Sequence, residues 1–453
     1  MAEKRSSFTG KIGFVLAAAG SAVGLGNIWR FPYLAAKYGG GIFLLVYLIL
    51  AVTFGFALMC AEIAIGRKTG KSAIGAFGAL NKKFKFVGVL ASVVPIIILP
   101  YYSVIGGWVT KYLTVFISGG ASAAAADSYF GDFISKPFEP IGWFLIFIGL
   151  TALIVLFGVE KGVEKVSKIM MPVLIVLTIG IAVYSMTMPG AMDGVLYYIT
   201  PDFSKFSVTT VLAAMGQLFY SMSLAMGIMI TYGSYMKKDV SIEGSVRQIE
   251  IFDTGVAFLA GLMIIPAVFS FSGGDESALG QGPGLMFVTL PKVFDSIGGV
   301  GGNIVGALFF LLVLFAALTS SISLMETVVS IFCDKFGWGR KVTCLVVFIG
   351  SVALGLPSSL GNGVWGNIKV AGMGILDMFD FASNSVIMPI VALLTCIFVG
   401  YIIKTKTVTD EIENGGIFKS KKLFNVMIKY IAPVFIVLIL VSSVLNAFGI
   451  IKI

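Results

Sequence analysis

"AAAGSAVGLGNIWRFP", residues 17–32, reads as a membrane helix interrupted in its middle. Gly20, Gly24, Gly26, Asn27 and Arg30 fall inside a run that is otherwise apolar. Glycine in a helix interior is about 1 kcal/mol less favourable than alanine, and polar or unwound backbone at bilayer depth is stable only where protein or a cavity surrounds it. The break therefore points to an internal site.

Composition supports placing this stretch in a bilayer. Of 453 residues, 58% are hydrophobic and 12% charged, with a mean hydropathy of +1.00, whereas a soluble domain is roughly half apolar and about a quarter charged. Eleven apolar runs recur along the chain, near residues 11–37, 41–66, 84–117, 140–158, 165–188, 207–236, 248–273, 303–333, 341–356, 373–404 and 423–450. A helix needs about 20 residues to cross the hydrocarbon layer. The expectation is an all-α integral membrane protein of eleven transmembrane helices. The first run continues into Arg30 and Pro32 without a small-residue cleavage site, so it is expected to remain as a span and not to leave as a signal peptide.

Charge and cysteine usage exclude several function classes. The net charge of +9 does not form a nucleic-acid patch, because most of the 32 basic residues alternate with the spans. Under the positive-inside rule they put the N-terminus in the cytoplasm of an inner cell membrane. Cys60, Cys333, Cys344 and Cys396 lie in or beside apolar runs, and with no histidine in the chain they suggest neither a disulfide framework nor a zinc site. An intramembrane enzyme needs a nucleophile with its base, metal ligands or paired acids in the spans, and none is legible. A channel needs a pore ring repeated by symmetry, which two unlike halves do not supply.

The sixth run is broken as well. "MGQLFYSMSLAMG", residues 215–227, puts Gln217, Ser221, Ser223 and two glycines at bilayer depth. Two broken spans five helices apart divide the chain into residues 1–205 with helices 1–5, residues 206–404 with helices 6–10, and residues 405–453 with a linker and helix 11. Because five is odd, the second half enters from the opposite side and the repeat is inverted; discontinuous helices at matching places of inverted halves mark the midplane binding site of a secondary transporter. Residues 405–422 read as a plain cytoplasmic linker, and "SGGDESALGQGPGLMFVTLPKVF", residues 272–294, as a re-entrant or hairpin-like cap.

The motifs "GSAVGLGNIWRFP", "RFPYLAAKYGGGIF", "GQLFYSMSL" and "ALTSSIS" together resemble the neurotransmitter:sodium symporter family, whose bacterial leucine transporter defines the five-plus-five inverted-repeat fold. The resemblance spans essentially the whole chain, with the motifs in the family's order. It implies two co-transported sodium ions. The first is held by the Ala22 carbonyl, Asn27, Ser221 and Asp253; the second by the carbonyls of Gly20, Val23 and Ala316 and the hydroxyls of Thr319 and Ser320. Independently of the family, Ala316, Thr319 and Ser320 are spaced i, i+3, i+4 and share a helix face, and oxygen donors suit a hard cation. Chloride-dependent members carry asparagine where this chain has Asp253, and Ala257 replaces the serine that helps hold the anion, so no chloride is expected.

For the substrate the resemblance implies Ser21, Ala22, Gly24, Gly26 and Tyr102 around the amino and carboxylate groups, and Ile98, Tyr220, Ser221, Ser223, Met226, Ser320 and Leu324 around the side chain. Monoamine transporters carry aspartate at the position of Gly24, so an amino acid that brings its own carboxylate is the expected cargo, hydrophobic or aromatic in type. Arg30 with Asp380 is expected to form the outer gate and Arg5 with Asp334 the inner one. Tyr235 belongs to the inner network, and Glu62 hydrogen-bonds the broken first helix. The protein is expected to be a monomer or loose dimer in the lipid bilayer. A proton-coupled or exchange carrier on the same fold is the alternative.

Overall fold

The computed structural model describes residues 7–274 and 282–447. Among these, nine helices are long and apolar enough to cross a bilayer: Gly41–Thr69, Lys82–Ile117, Glu139–Leu156, Val159–Met186, Ile242–Ser272, Gly299–Phe336, Arg340–Leu360, Ile375–Ile402 and Lys421–Asn446. The pair Lys11–Ala22 and Gly26–Lys37, bent by 54°, makes a tenth. The expected sixth span exists only as two pieces, Val208–Ser221 and Ile228–Ser234, neither long enough to cross alone. Both interruptions thus fall in the stretches where glycine and polar residues break the apolar pattern.

Packing sets the two broken helices in the middle of the bundle. The inner half of the first, Lys11–Ala22, lies against the fifth, seventh and eighth helices, and the second half of the sixth lies along the second. The latter contact is backbone to backbone: a Cβ on Gly66 would fall 1.9 Å from the Ile230 carbonyl oxygen, and one on Gly233 2.3 Å from that of Ile63. Small residues permit such an approach where burial against lipid gives no hydrophobic drive. The fourth and eleventh helices are only 33% and 28% buried over their apolar windows and turn most of that surface outward from the bundle.

The connections are more ordered than their composition suggests. Residues 405–422 do not form a plain linker: Lys404–Glu413 is a helix whose Glu411 is buried against Arg67 at the end of the second helix, Nε to Oε1 2.9 Å. Arg67 also donates to the Val240 carbonyl at 2.6 Å, and Glu243 accepts the backbone N–H groups of Lys419 and Ser420 at 2.7 and 3.0 Å. Charged residues that read as solvated instead strap the tenth-to-eleventh connection to the second and seventh helices. Of the outer cap, residues 275–281 lie outside the described residues, while the rest folds as the π-wound turn Leu285–Thr289 and the helix Leu290–Ile297. Phe287 is inserted there among Trp29, Trp108, Tyr112 and Phe130, and its carbonyl accepts from the Tyr112 hydroxyl at 2.8 Å.

Candidate functional site

The first helix stops at Ala22, where Val23 turns to an extended conformation. Ending a helix in mid-bilayer leaves its last carbonyls without amide partners, here those of Gly20, Ser21, Ala22 and Val23. The hydroxyl of Ser320, on the eighth helix, approaches three of them: 3.0 Å from the Ser21 oxygen and 3.4 Å from those of Gly20 and Val23. Thr319 lies beside Gly20, whose Cβ, if present, would be 3.2 Å from that of Thr319; its hydroxyl bonds the Ala316 and Phe315 carbonyls at 3.1 and 3.0 Å. The five residues assigned to the second sodium site are thereby brought together.

The residues assigned to the first sodium site also converge. Asp253, fully buried on the seventh helix, accepts at Oδ1 from Asn27 Nδ2 and Ser221 Oγ, both at 2.7 Å, and at Oδ2 from the Tyr47 hydroxyl at 3.2 Å. Asn27 turns its other face to the break, its Oδ1 accepting the Gly24 N–H at 3.1 Å. No lysine or arginine pairs with Asp253 among the described residues. A buried carboxylate without a cationic partner is expensive in a bilayer, so this arrangement is chemically suited to a cation.

The sixth helix opens between Ser221 and Ile228, and Ser223, Ala225 and Gly227 take left-handed φ values of 52°, 58° and 72°. Only glycine adopts this region freely; alanine and serine there are held by their surroundings. Ser223 donates to the Ser21 carbonyl at 2.9 Å, and Gln217 to that of Gly26 at 2.9 Å, so the two broken helices satisfy each other. The amide of Ala225 goes to Glu62 Oε1 at 2.7 Å. This corrects the expectation for Glu62: it holds the unwound sixth helix, not the first, because the second helix carries it along the inner half of the sixth.

Between the breaks lies a small cavity. Ser21, Ala22, Gly24, Gly26, Ile98, Tyr102, Tyr220, Ser221, Ser223, Met226, Ser320 and Leu324 all line it, joined by Leu25, Asn27 and Ile228, which the sequence did not assign to the substrate. Gly24 has no room for a side chain: a Cβ would be 2.7 Å from Ser320 Oγ and 3.2 Å from the Tyr102 hydroxyl.

The residues expected at the outer gate, Arg30 and Asp380, are not joined as an ion pair among the described residues. The Arg30 guanidinium sits over the Tyr220 ring, 5.3 Å from its centroid, while Asp380 is engaged by Tyr101 at 3.1 Å and Asn384 at 2.6 Å. Cation–π attraction holds the one charge, and the Tyr101 hydroxyl with the Asn384 amide, one turn along the same helix, satisfies the other. On the inner side, Arg5 lies outside the described residues, and Asp334 accepts from both the backbone and the hydroxyl of Ser72 at 2.7 Å. Tyr235 donates to Glu326 at 2.8 Å, and Glu326 is paired with Arg340, two charged residues the sequence reading missed. An acid more than two turns inside the end of the long apolar eighth helix was the available signal for Glu326, and Tyr47 offered none beyond being a tyrosine in an apolar span.

With these helices in place, the comparison with known proteins is decisive. The model of the Sodium:neurotransmitter symporter family matches residues 5–122 and 135–450. The chain belongs to this family. The transporter is 35% identical to the uncharacterized sodium-dependent transporter YhdH of Bacillus subtilis (strain 168), over 98% of both chains, and 32% identical to an uncharacterized sodium-dependent transporter of Haemophilus influenzae, over 97% of this chain and 98% of that one. Its structure is similar to the crystal structure of MhsT in complex with L-phenylalanine, with a TM-score of 0.88 and 40% identity over 97% of this chain and 100% of that one. The transporter is therefore a multi-pass, sodium-dependent carrier and not an enzyme.

Proposed function

We propose that the transporter couples two sodium ions, without chloride, to the import of a hydrophobic or aromatic amino acid by alternating access, with its N-terminus in the cytoplasm of an inner cell membrane. The observation that carries this reading is Asp253: a fully buried carboxylate, with no basic partner among the described residues, that accepts from Tyr47 and from Asn27 and Ser221, two residues lining the cavity between the broken helices. Its own negative charge stands in the sodium shell, so charge balance for the first ion needs no added anion. The carbonyls of Gly20, Val23 and Ala316 with the hydroxyls of Thr319 and Ser320 form the shell of the second ion.

In the cavity, Gly24 leaves the space that a carboxylate-bearing substrate needs, and the Tyr102 hydroxyl, 3.4 Å from the Leu25 amide, is available to its carboxylate. Ile98, Tyr220, Met226, Ile228 and Leu324 offer an apolar wall, with Met226 adaptable in shape. The complex of the similar MhsT with L-phenylalanine supports an aromatic cargo. Ions and substrate favour the arrangement in which both broken helices close around them, and release to the inside lets the bundle of the first, second, sixth and seventh helices rock back.

The test is a panel of amino acids assayed for thermal stabilisation of the purified protein in sodium gluconate and in potassium gluconate. A ligand at a hundred times its Kd stabilises by about 2.7 kcal/mol. Large apolar amino acids are expected to raise the melting temperature in sodium alone. Equal stabilisation in potassium, or preference for an amine without a carboxylate, overturns the proposal.

A further inference from the structure

The inner half of the first helix begins with no side-chain cap, since Gly10 has none to offer. It is held by the residues before it. Thr9 donates its backbone N–H to Glu164 Oε2 at 2.9 Å and its hydroxyl to Oε1, and Lys168 pairs with the same carboxylate at 2.7 Å. Glu164 is 1% exposed, and its carboxylate covers Gly13, where a Cβ would be 2.1 Å from Oε1 and 2.3 Å from Cδ. A negative group at a helix N-terminus is also favoured by the helix dipole.

The remaining ties of this segment differ in where they lead. Phe8 donates its N–H to the Tyr235 carbonyl at 3.1 Å, and Lys237 reaches the Thr9 carbonyl at 2.8 Å. Both partners follow directly on the inner half of the sixth helix, the other broken span. Glu164 instead belongs to the fifth helix, at the end of the π-wound turn Val159–Glu164 that starts from Gly158 at φ 88°. Such turns recur at functional positions. A swing of the first helix away from the fifth would break the Glu164 contact.

We propose that Glu164 is a positioning residue of the transport cycle, latching the inner half of the first helix to the fifth through Thr9 and Gly13 and releasing it when the cytoplasmic side opens. The latch rests on the alternating-access reading. It sets how readily the inner side opens without contributing an atom to either sodium shell or to the cavity.

The test uses the full-length protein with its four native cysteines replaced by serine and Ala17→Cys introduced on the buried inner helix as a reporter for a water-soluble maleimide. In the parent protein, sodium is expected to slow labelling. Glu164→Ala is expected to raise the sodium-free labelling rate about tenfold or more and to weaken sodium-dependent ligand binding, with saturating sodium restoring slow labelling. Gly13→Ala, which pushes the carboxylate away while leaving Glu164 in place, is expected to reproduce the effect. Combining it with Glu164→Ala adds little, because the new methyl then enters space already cleared. A parent protein in which sodium gives no protection overturns alternating access and the latch with it. Protection in the parent together with unchanged labelling in Glu164→Ala, or full additivity of the two substitutions, overturns the latch alone.

Discussion

Replacing Asp253 with asparagine removes one charge and little volume. A unit charge acts on another about 4 Å away with about 4 kcal/mol at the effective dielectric of a protein interior. Asparagine keeps an oxygen that serves as an ion–dipole contact, leaving a loss of about 3 kcal/mol, and each 1.4 kcal/mol is tenfold in affinity. The sodium concentration for half-maximal uptake should thus rise on the order of a hundredfold. The hydrogen bonds shift as well: Asn27, Ser221 and Tyr47 all donate to Asp253, and an amide nitrogen cannot accept from them. The assay is uptake of the amino acid identified by the stabilisation panel into proteoliposomes, titrated with sodium gluconate with and without chloride. Wild-type uptake should not respond to chloride. If the Asp253→Asn variant keeps the wild-type sodium dependence in chloride-free medium, the carboxylate is no part of the sodium shell and the reasoning fails.

Gly26→Ala should abolish uptake while leaving expression intact, since the added Cβ would lie 2.5 and 2.7 Å from the Tyr220 ring; transport alongside the melting temperature of the purified protein separates the two effects. Glu62→Leu strands the Ala225 amide in the unwound segment, and an unsatisfied buried donor costs about 1–3 kcal/mol, so thermal unfolding should shift downward while Glu62→Gln, which retains an acceptor, shifts less. Arg67→Ala should destabilise by about 1–3 kcal/mol, because the buried Glu411 loses the guanidinium and keeps only the exposed Lys238, at 2.8 Å, as a cationic partner. The double variant Arg67→Ala, Glu411→Ala should recover part of that loss in a thermal-unfolding series.

What the sequence made legible were the features with local causes. Glycine and polar residues inside apolar runs placed both breaks, and the i, i+3, i+4 spacing put Ala316, Thr319 and Ser320 on one face. All twelve residues assigned to the substrate line one cavity, because they sit at or opposite those breaks. What escaped depended on which distant element a side chain meets. Glu62 was assigned to the first helix and meets the sixth, Arg30 and Asp380 each find nearer partners than one another, and the strap across residues 405–422 is invisible in a run of mixed charge. Neither composition nor periodicity records that Glu411 reaches back to the end of the second helix.

That strap also bears on the order in which the molecule assembles. Arg67 emerges with the second span, and the acid that neutralises it follows 344 residues later, after the tenth. Until then the guanidinium at the end of the second span has only water and, once the sixth span has emerged, the Val240 carbonyl to satisfy it. The inner ends of the second and seventh helices therefore reach their final seats late in synthesis, when the last hairpin arrives, and a chain truncated before residue 411 would carry the central site on helices whose inner ends remain unfastened.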